Sequence, residues 1–191
     1  VSIPTNAVCC GALSLHAGDT EAARRQADRN RMAFDQSLDA VVSIASGCGV
    51  QLDEYAPTLP TPHIDVCRFI VDHADFSQAD FKPLPASIAL HTPCSVENVY
   101  RGAAWARQAL GLIPGLTVEP VGEAGQCCGA AGDYMLRHSG VATRLRRPII
   151  DQVLSGSHQV LATSNIGCAM HLAEGLYASN AAVEIVHPIE L

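Results

Sequence analysis

Two adjacent cysteine pairs, each closed by a glycine, stand about 120 residues apart at Cys9-Cys10-Gly11 and Cys127-Cys128-Gly129. Each pair is followed about forty residues later by a Gly-Cys, at Gly47-Cys48 and Gly167-Cys168. The second set also has a cysteine upstream, in His91-Thr92-Pro93-Cys94. Adjacent cysteines make poor disulfide partners, because the small ring forces the bond away from its preferred dihedral. Adjacent thiolates can serve one metal centre. The surroundings repeat as well. A helix opened by Asp19 or Thr20 and running to about Ser37 precedes the strand Ala40–Ile44; helical sequence through Leu154 precedes the strand Gln159–Thr163. Gly49-Val50-Gln51-Leu52 then answers Ala169-Met170-His171-Leu172. The period is too long for a solenoid, so the expectation is two related half-domains, 1–82 and 83–191.

Between the sets, Pro57 to Pro62 reads as a turn-rich connector, followed by a short helix near Asp65–His73. Ser87–His91 and Val118–Val121 read as strands, Val96–Leu112 as a helix stopped before Pro114, and Val183–Val186 as a closing strand. Strands alternating with helices imply an α/β fold: two duplicated half-domains with mainly parallel sheets flanked by helices. Right-handed crossovers would bring the strand ends to one edge, and the motif cysteines are expected in the strand-to-helix loops there.

Composition removes several function classes. The net charge is −7, and Lys82 is the single lysine beside eleven arginines. Binding to nucleic acid needs a basic face, so no nucleic-acid partner is expected. No apolar run approaches a membrane span and no signal peptide is visible, so the expected place is the cytoplasm, at most peripheral to the inner face of a membrane. The first residue is Val1 rather than methionine, which suggests a piece of a longer protein. The chain has ample core material, unlike small disulfide scaffolds, so its eight cysteines point to metal or cluster ligation.

A full set of four thiols is visible in the second half: Cys94, Cys127, Cys128 and Cys168. Four thiolates suit a [4Fe–4S] cluster, one per iron, and also suit tetrahedral zinc. Zinc sites usually draw ligands from C-x2–4-C knuckles, which are missing here. Helix starts after Cys94, Cys128 and Cys168 would turn positive dipole ends toward an anionic centre, and Gly125, Gly129 and Gly167 would let the backbone approach it. The first half offers Cys9, Cys10 and Cys48. By the duplication its fourth ligand should lie about 33 residues before Cys9, beyond Val1. This incomplete site tolerates zinc. Cys67 reads as a buried structural thiol. His16, His91 and His171 stand close enough in sequence to donate to a sulfur, although a satisfied histidine is the plainer reading of each. His63, His73, His138, His158 and His187 carry no motif. The arginine-rich helices around Arg24–Arg31 and Arg144–Arg147 read as solvated faces. No catalytic residue is assigned.

The repeated Cys, Cys-Cys-Gly, Gly-Cys pattern resembles the cysteine-rich CCG domain of heterodisulfide reductases and their relatives. The stretches 9–18, Leu90-His91-Thr92-Pro93-Cys94, 125–132 and 164–172 are similar to the C-terminal part of glycolate oxidase iron–sulfur subunits. The resemblance implies an electron-transfer subunit of an oxidoreductase. A flavin-containing subunit would oxidise glycolate, and iron–sulfur centres would pass electrons toward a quinone. It also implies an N-terminal ferredoxin-like domain, absent from this sequence, so the isolated chain is expected to be inactive toward glycolate. It carries over Cys94, Cys127, Cys128 and Cys168 as cluster ligands, and Cys9, Cys10 and Cys48 as part of the first motif. Heterodisulfide reductases end the motif in C-x-x-C; here the earlier position is Ala45 or Asn165. Other readings of the residues are a zinc-stabilised assembly domain and a thiol–disulfide reductase.

Overall fold

In the computed structural model the described residues are all of 1–191 except 35–36, 56–58, 60 and 74. The chain divides into two compact units, Val1–Asp65 and Val66–Leu191. The expected connector over Pro57–Pro62 lies largely outside the described residues.

The first unit contains α1 (Ala12–His16), α2 (Thr20–Ala33), β1 (Val41–Ser43), α3 (Ser46–Glu54) and β2 (His63–Asp65). Asp19 caps α2 by accepting from the Ala22 N–H, as its residue type favours. The helix stops at Ala33, short of Ser37, because Phe34 turns extended (φ −87°, ψ 117°) and packs into the core. That core joins Ala27, Phe34, Leu52 and Tyr55, with Val41 and Leu59 against it. β1 and β2 pair in parallel, Ser43 opposite Asp65. β2 has no counterpart in the sequence reading, since three residues after a proline carry no readable period.

The second unit contains α4 (Val66–His73), β3 (Ser87–His91), α5 (Ala103–Leu110), β4 (Thr117–Val121), α6 (Tyr134–Arg137), α7 (Ser139–Ser155), β5 (Val160–Thr163), α8 (Ile166–Ala178) and β6 (Glu184–Val186). The expected helix over Val96–Leu112 is broken. A π-helical turn, Ser95–Tyr100, ends at Arg101 in the left-handed region (φ 53°), and α5 starts after Gly102.

All four strands run parallel in the order β4-β3-β5-β6. Pro120 lacks an N–H to donate and is tolerated because β4 is an edge strand. The period of two along the strands sorts side chains to the two faces. Ile88, Leu90 and Ala162 pack with Leu110 of α5 on one face. Ala89 and Leu161 pack with Ile149 and Val153 of α7 and Leu172 of α8 on the other. The chain thus leaves β3 for one side through α5 and returns over the opposite face through α7. The mainly parallel α/β architecture is as expected. Between β3 and β5, outside their carboxyl ends, lies the topological switch point where such sheets build sites.

Candidate metal centre

Cys94 follows β3 by three residues and opens the π-helical turn, while Cys127 and Cys128 lie in the long loop between β4 and α6. Cys168 sits in the first turn of α8. That last placement differs from the helix start expected after Cys168. Asn165 already caps α8, its side chain accepting from the N–H groups of Gly167 and Cys168. Cys48 is likewise inside the first turn of α3, and after Cys128 the first helix waits until Tyr134.

The second unit brings all four of its motif thiols into mutual electrostatic range. Cys128 and Cys168 are buried, and their sulfurs share one hydrogen bond at 2.7 Å. That bond stabilises the Cys128 thiolate and lowers its pKa, while it raises that of Cys168, with burial adding to the rise. Cys94 is pushed up by burial first and then by the negative charge of Cys127 and Cys128. Four thiolates within electrostatic range repel one another, which is the electrostatic condition a cationic centre relieves. Backbone groups already face the sulfurs. The Gly129 N–H donates to Cys127 Sγ at 3.3 Å, and the Ala130 and Ser95 N–H groups favour the thiolates of Cys128 and Cys94. Gly129 makes this turn possible at φ 92°, and a Cβ there would stand 2.6 Å from the Ala142 carbonyl oxygen.

The first unit brings together Cys9, Cys10 and Cys48. Cys10 and Cys48 share a hydrogen bond that lowers Cys48 to about 7 and raises Cys10. The Ala12 N–H favours the Cys10 thiolate as Ala130 does that of Cys128. The paired cysteines are held by residues that carry no sequence motif. Asn30, 1% exposed, accepts from the Val8 N–H at 2.8 Å and donates to the Cys9 carbonyl at 3.2 Å. The Tyr55 hydroxyl donates to the Cys10 carbonyl. Nothing in the sequence marked either residue.

The three candidate histidines take three different places. His16 ends α1 and is exposed. His171 is buried and satisfied: Nε2–H donates to the Ala142 carbonyl and Nδ1 accepts from Arg146, 3.1 and 3.2 Å away. His91 is 1% exposed, bonded through Nδ1 to Thr163 Oγ1 at 3.0 Å, and its Nε2 has no partner among the described residues. Burial pushes His91 down to about 4, so the ring is neutral. In the sheet it stands opposite Val121, which belongs to the apolar cluster that also holds Cys128 and Cys168. Cys67 is buried in α4, as expected of a structural thiol.

Among the described residues no three histidine, cysteine or carboxylate side chains already close around a single metal ion. The fit to a centre rests on the donor set: four thiols in mutual electrostatic range and N–H groups aimed at sulfur.

The chain is similar to known proteins. The model of the cysteine-rich domain family named CCG matches residues 1–53 and 88–173, one segment in each half. The chain is 30% identical over 189 residues to the glycolate oxidase iron-sulfur subunit of Escherichia coli K12, covering 90% of this chain and 46% of that protein. It is 29% identical over 192 residues to a probable glycolate oxidase iron-sulfur subunit of Bacillus subtilis 168, covering 92% and 43%. With lactate utilization protein A of an Exiguobacterium species it shares 22% identity over 205 residues, covering 100% and 83%. The chain spans less than half the length of the two glycolate oxidase relatives.

Proposed function

The chain belongs to the cysteine-rich CCG domain family, and from that premise we propose that it is an iron–sulfur electron-transfer module of a 2-hydroxyacid oxidoreductase complex. Its relatives are named iron-sulfur subunits of glycolate oxidase, which supports an iron–sulfur role. The observation that carries the reading is the convergence of Cys94, Cys127, Cys128 and Cys168 at the switch point of a parallel sheet. In this reading these four hold a [4Fe–4S] cluster within the repeat 83–191. Cys9, Cys10 and Cys48 form the counterpart within 1–82, a site still one ligand short that also suits zinc.

When bound, such a cluster supplies one-electron transfer. The chain's own part is electrostatic. Cys128 and Cys168 lie buried, so solvent is kept from half of the donor set. The N–H groups of Ser95, Gly129 and Ala130 stabilise negative charge on sulfur, which raises a reduction potential. The cap of Asn165 occupies the first N–H groups of α8 with a side chain and fixes Cys168 at the helix start. A flavin-containing glycolate-oxidising subunit would deliver the electrons, and a ferredoxin-like domain would carry them toward a quinone. A peripheral location on the cytoplasmic side belongs to the same proposal. No helix among the described residues is long and apolar enough to cross a membrane.

Anaerobic preparation followed by iron, sulfide and zinc analysis tests the reading. Brown protein with iron and acid-labile sulfide, lost in Cys128→Ser, is the expected result. Colourless protein that folds but takes up no iron after reconstitution would overturn it, and stoichiometric zinc would replace it with a structural centre. A thiol–disulfide reductase would instead react through Cys48 in the metal-free state and need no iron.

A further inference from the structure

α3 carries Cys48 at its start, yet Ala45 gives its first turn no side-chain cap, whereas Asn165 caps α8 at Cys168. Another set of bonds holds α3. Asp53, near its C-terminal end, has Oδ1 2.7 Å from His63 Nδ1, and His63 Nε2 lies 2.8 Å from Ser43 Oγ. This relay crosses from α3 to the first residue of β2 and on to the last of β1. The His63 side chain is 1% exposed and that of Asp53 41%. The Asp53 carboxylate accepts from Nδ1–H, and Nε2 and the Ser43 hydroxyl share the second bond. The buried ring thus ties the end of α3 to both strands of the sheet.

Helical geometry ties the relay to the thiols. Five residues separate Cys48 from Asp53, a rotation that brings them about 140° apart around α3. Tyr55, two residues further, returns to within about 20° of Cys48, and its hydroxyl donates to the Cys10 carbonyl. α3 is therefore held on one side by the Cys10 backbone and on another by His63.

We propose that His63, bridging Asp53 and Ser43, is a positioning residue for the first thiol centre: it sets the rotation and depth of α3, and so the place of Cys48 Sγ against Cys10. The relay does for Cys48 what the Asn165 cap does for Cys168. This rests on the reading of Cys9, Cys10 and Cys48 as one ligand set.

The test uses Co(II) as the probe, added anaerobically to reduced, metal-free protein carrying Cys127→Ser and Cys128→Ser so that only the first centre reports. Sulfur-to-cobalt charge-transfer absorption scales with the number of bound thiolates. The parent is expected to bind one Co(II) with a three-thiolate band. His63→Gln and Ser43→Ala are expected to bind about tenfold more weakly, equivalent to about 1.4 kcal/mol, with the band reduced by about a third as Cys48 drops out. Ser43→Thr keeps the hydroxyl and should restore both. Asp53→Ala, at a partly exposed carboxylate, gives the same reading should the buried His63 variant fail to fold. Variants that match the parent overturn the proposal, as do variants that bind weakly with a full three-thiolate band, the signature of a merely structural role. A parent with no thiolate band shows instead that the ligand set itself is wrong, and the proposal falls with it.

Discussion

Gly11 and Gly129, each the residue after a cysteine pair, adopt the same left-handed backbone, φ 91° and φ 92°. Each also abuts an alanine of a later helix. A Cβ on Gly11 would meet Ala23 at 3.2–3.3 Å, and one on Gly129 would meet Ala142 at 2.6–3.2 Å. The glycine of the motif is therefore required twice, by the turn and by the close approach of a helix.

Both glycines are expected to be intolerant of alanine, and unequally so. The left-handed conformation costs an L-residue about 1–2 kcal/mol. Gly11→Ala should lose about that much in urea unfolding. Gly129→Ala adds a collision with backbone and should lose roughly twice as much. Equal losses would mean that the Ala142 contact does not matter.

His91 makes stability fall in acid. The buried ring titrates at about 4, against 6.5 for a free histidine. Below that higher value the unfolded chain takes up a proton that the native chain refuses. Stability is therefore full above about pH 6.5 and declines toward pH 4, by up to about 3 kcal/mol. His91→Gln keeps a partner for Thr163 and should flatten the fall of the urea midpoint between those limits.

In metal-free, reduced protein Cys48 should react before Cys10. Its pKa of about 7 comes from the hydrogen bond of Cys10, working against burial. Iodoacetamide labelling followed by peptide mass analysis should show half-maximal modification of Cys48 near pH 7, with Cys10 still protonated. Cys10→Ala removes the donor and should slow Cys48 labelling at about pH 7 roughly tenfold.

Arg146 and Glu174 form an ion pair whose two ends differ in worth. Arg146 is buried and also donates to the His171 carbonyl at 2.9 Å, whereas Glu174 is 62% exposed. Arg146→Met leaves the buried Nδ1 of His171 without its donor and should cost about 2–4 kcal/mol. Glu174→Gln should cost less than about 1 kcal/mol. Thermal unfolding of the two variants checks the ordering.

Ala45 and Asn165 occupy matching helix starts with nearly the same backbone, φ −130°, ψ 109° and φ −126°, ψ 119°. Only Asn165 supplies a cap. Asn165→Ala should destabilise the second unit by about 1 kcal/mol, and Ala45→Asn should stabilise the first by up to a similar amount. A neutral Ala45→Asn would mean that the start of α3 is already satisfied.

Much of the fold is legible in the residues. Ser87–His91 is a strand as read, because a central strand buried on both faces is nearly continuous in apolar residues. Asp19 is the N-cap as read, because capping is local chemistry. The break at Arg101 and Gly102 escapes the periodic pattern, since apolar spacing continues across it while the backbone changes hand. β2 escapes for a different reason: its three residues are defined by pairing with β1, which local sequence does not encode.

By itself the sequence determined which thiols exist, that they fall into two repeated sets, and that parallel α/β topology would carry them. Those are properties of residue type and spacing. Only the tertiary structure decided which groups surround them. Asn30 and Tyr55 on the backbone of the cysteine pair, the bond between His91 and Thr163, and the Ser43–His63–Asp53 relay join residues 10 to 72 positions apart. Hydrogen bonds are short-ranged in space and blind to distance along the chain, so only packing could bring them about. The paired Cys-Cys-Gly motif marks where a centre can be built, and the folded chain sets how each sulfur is held.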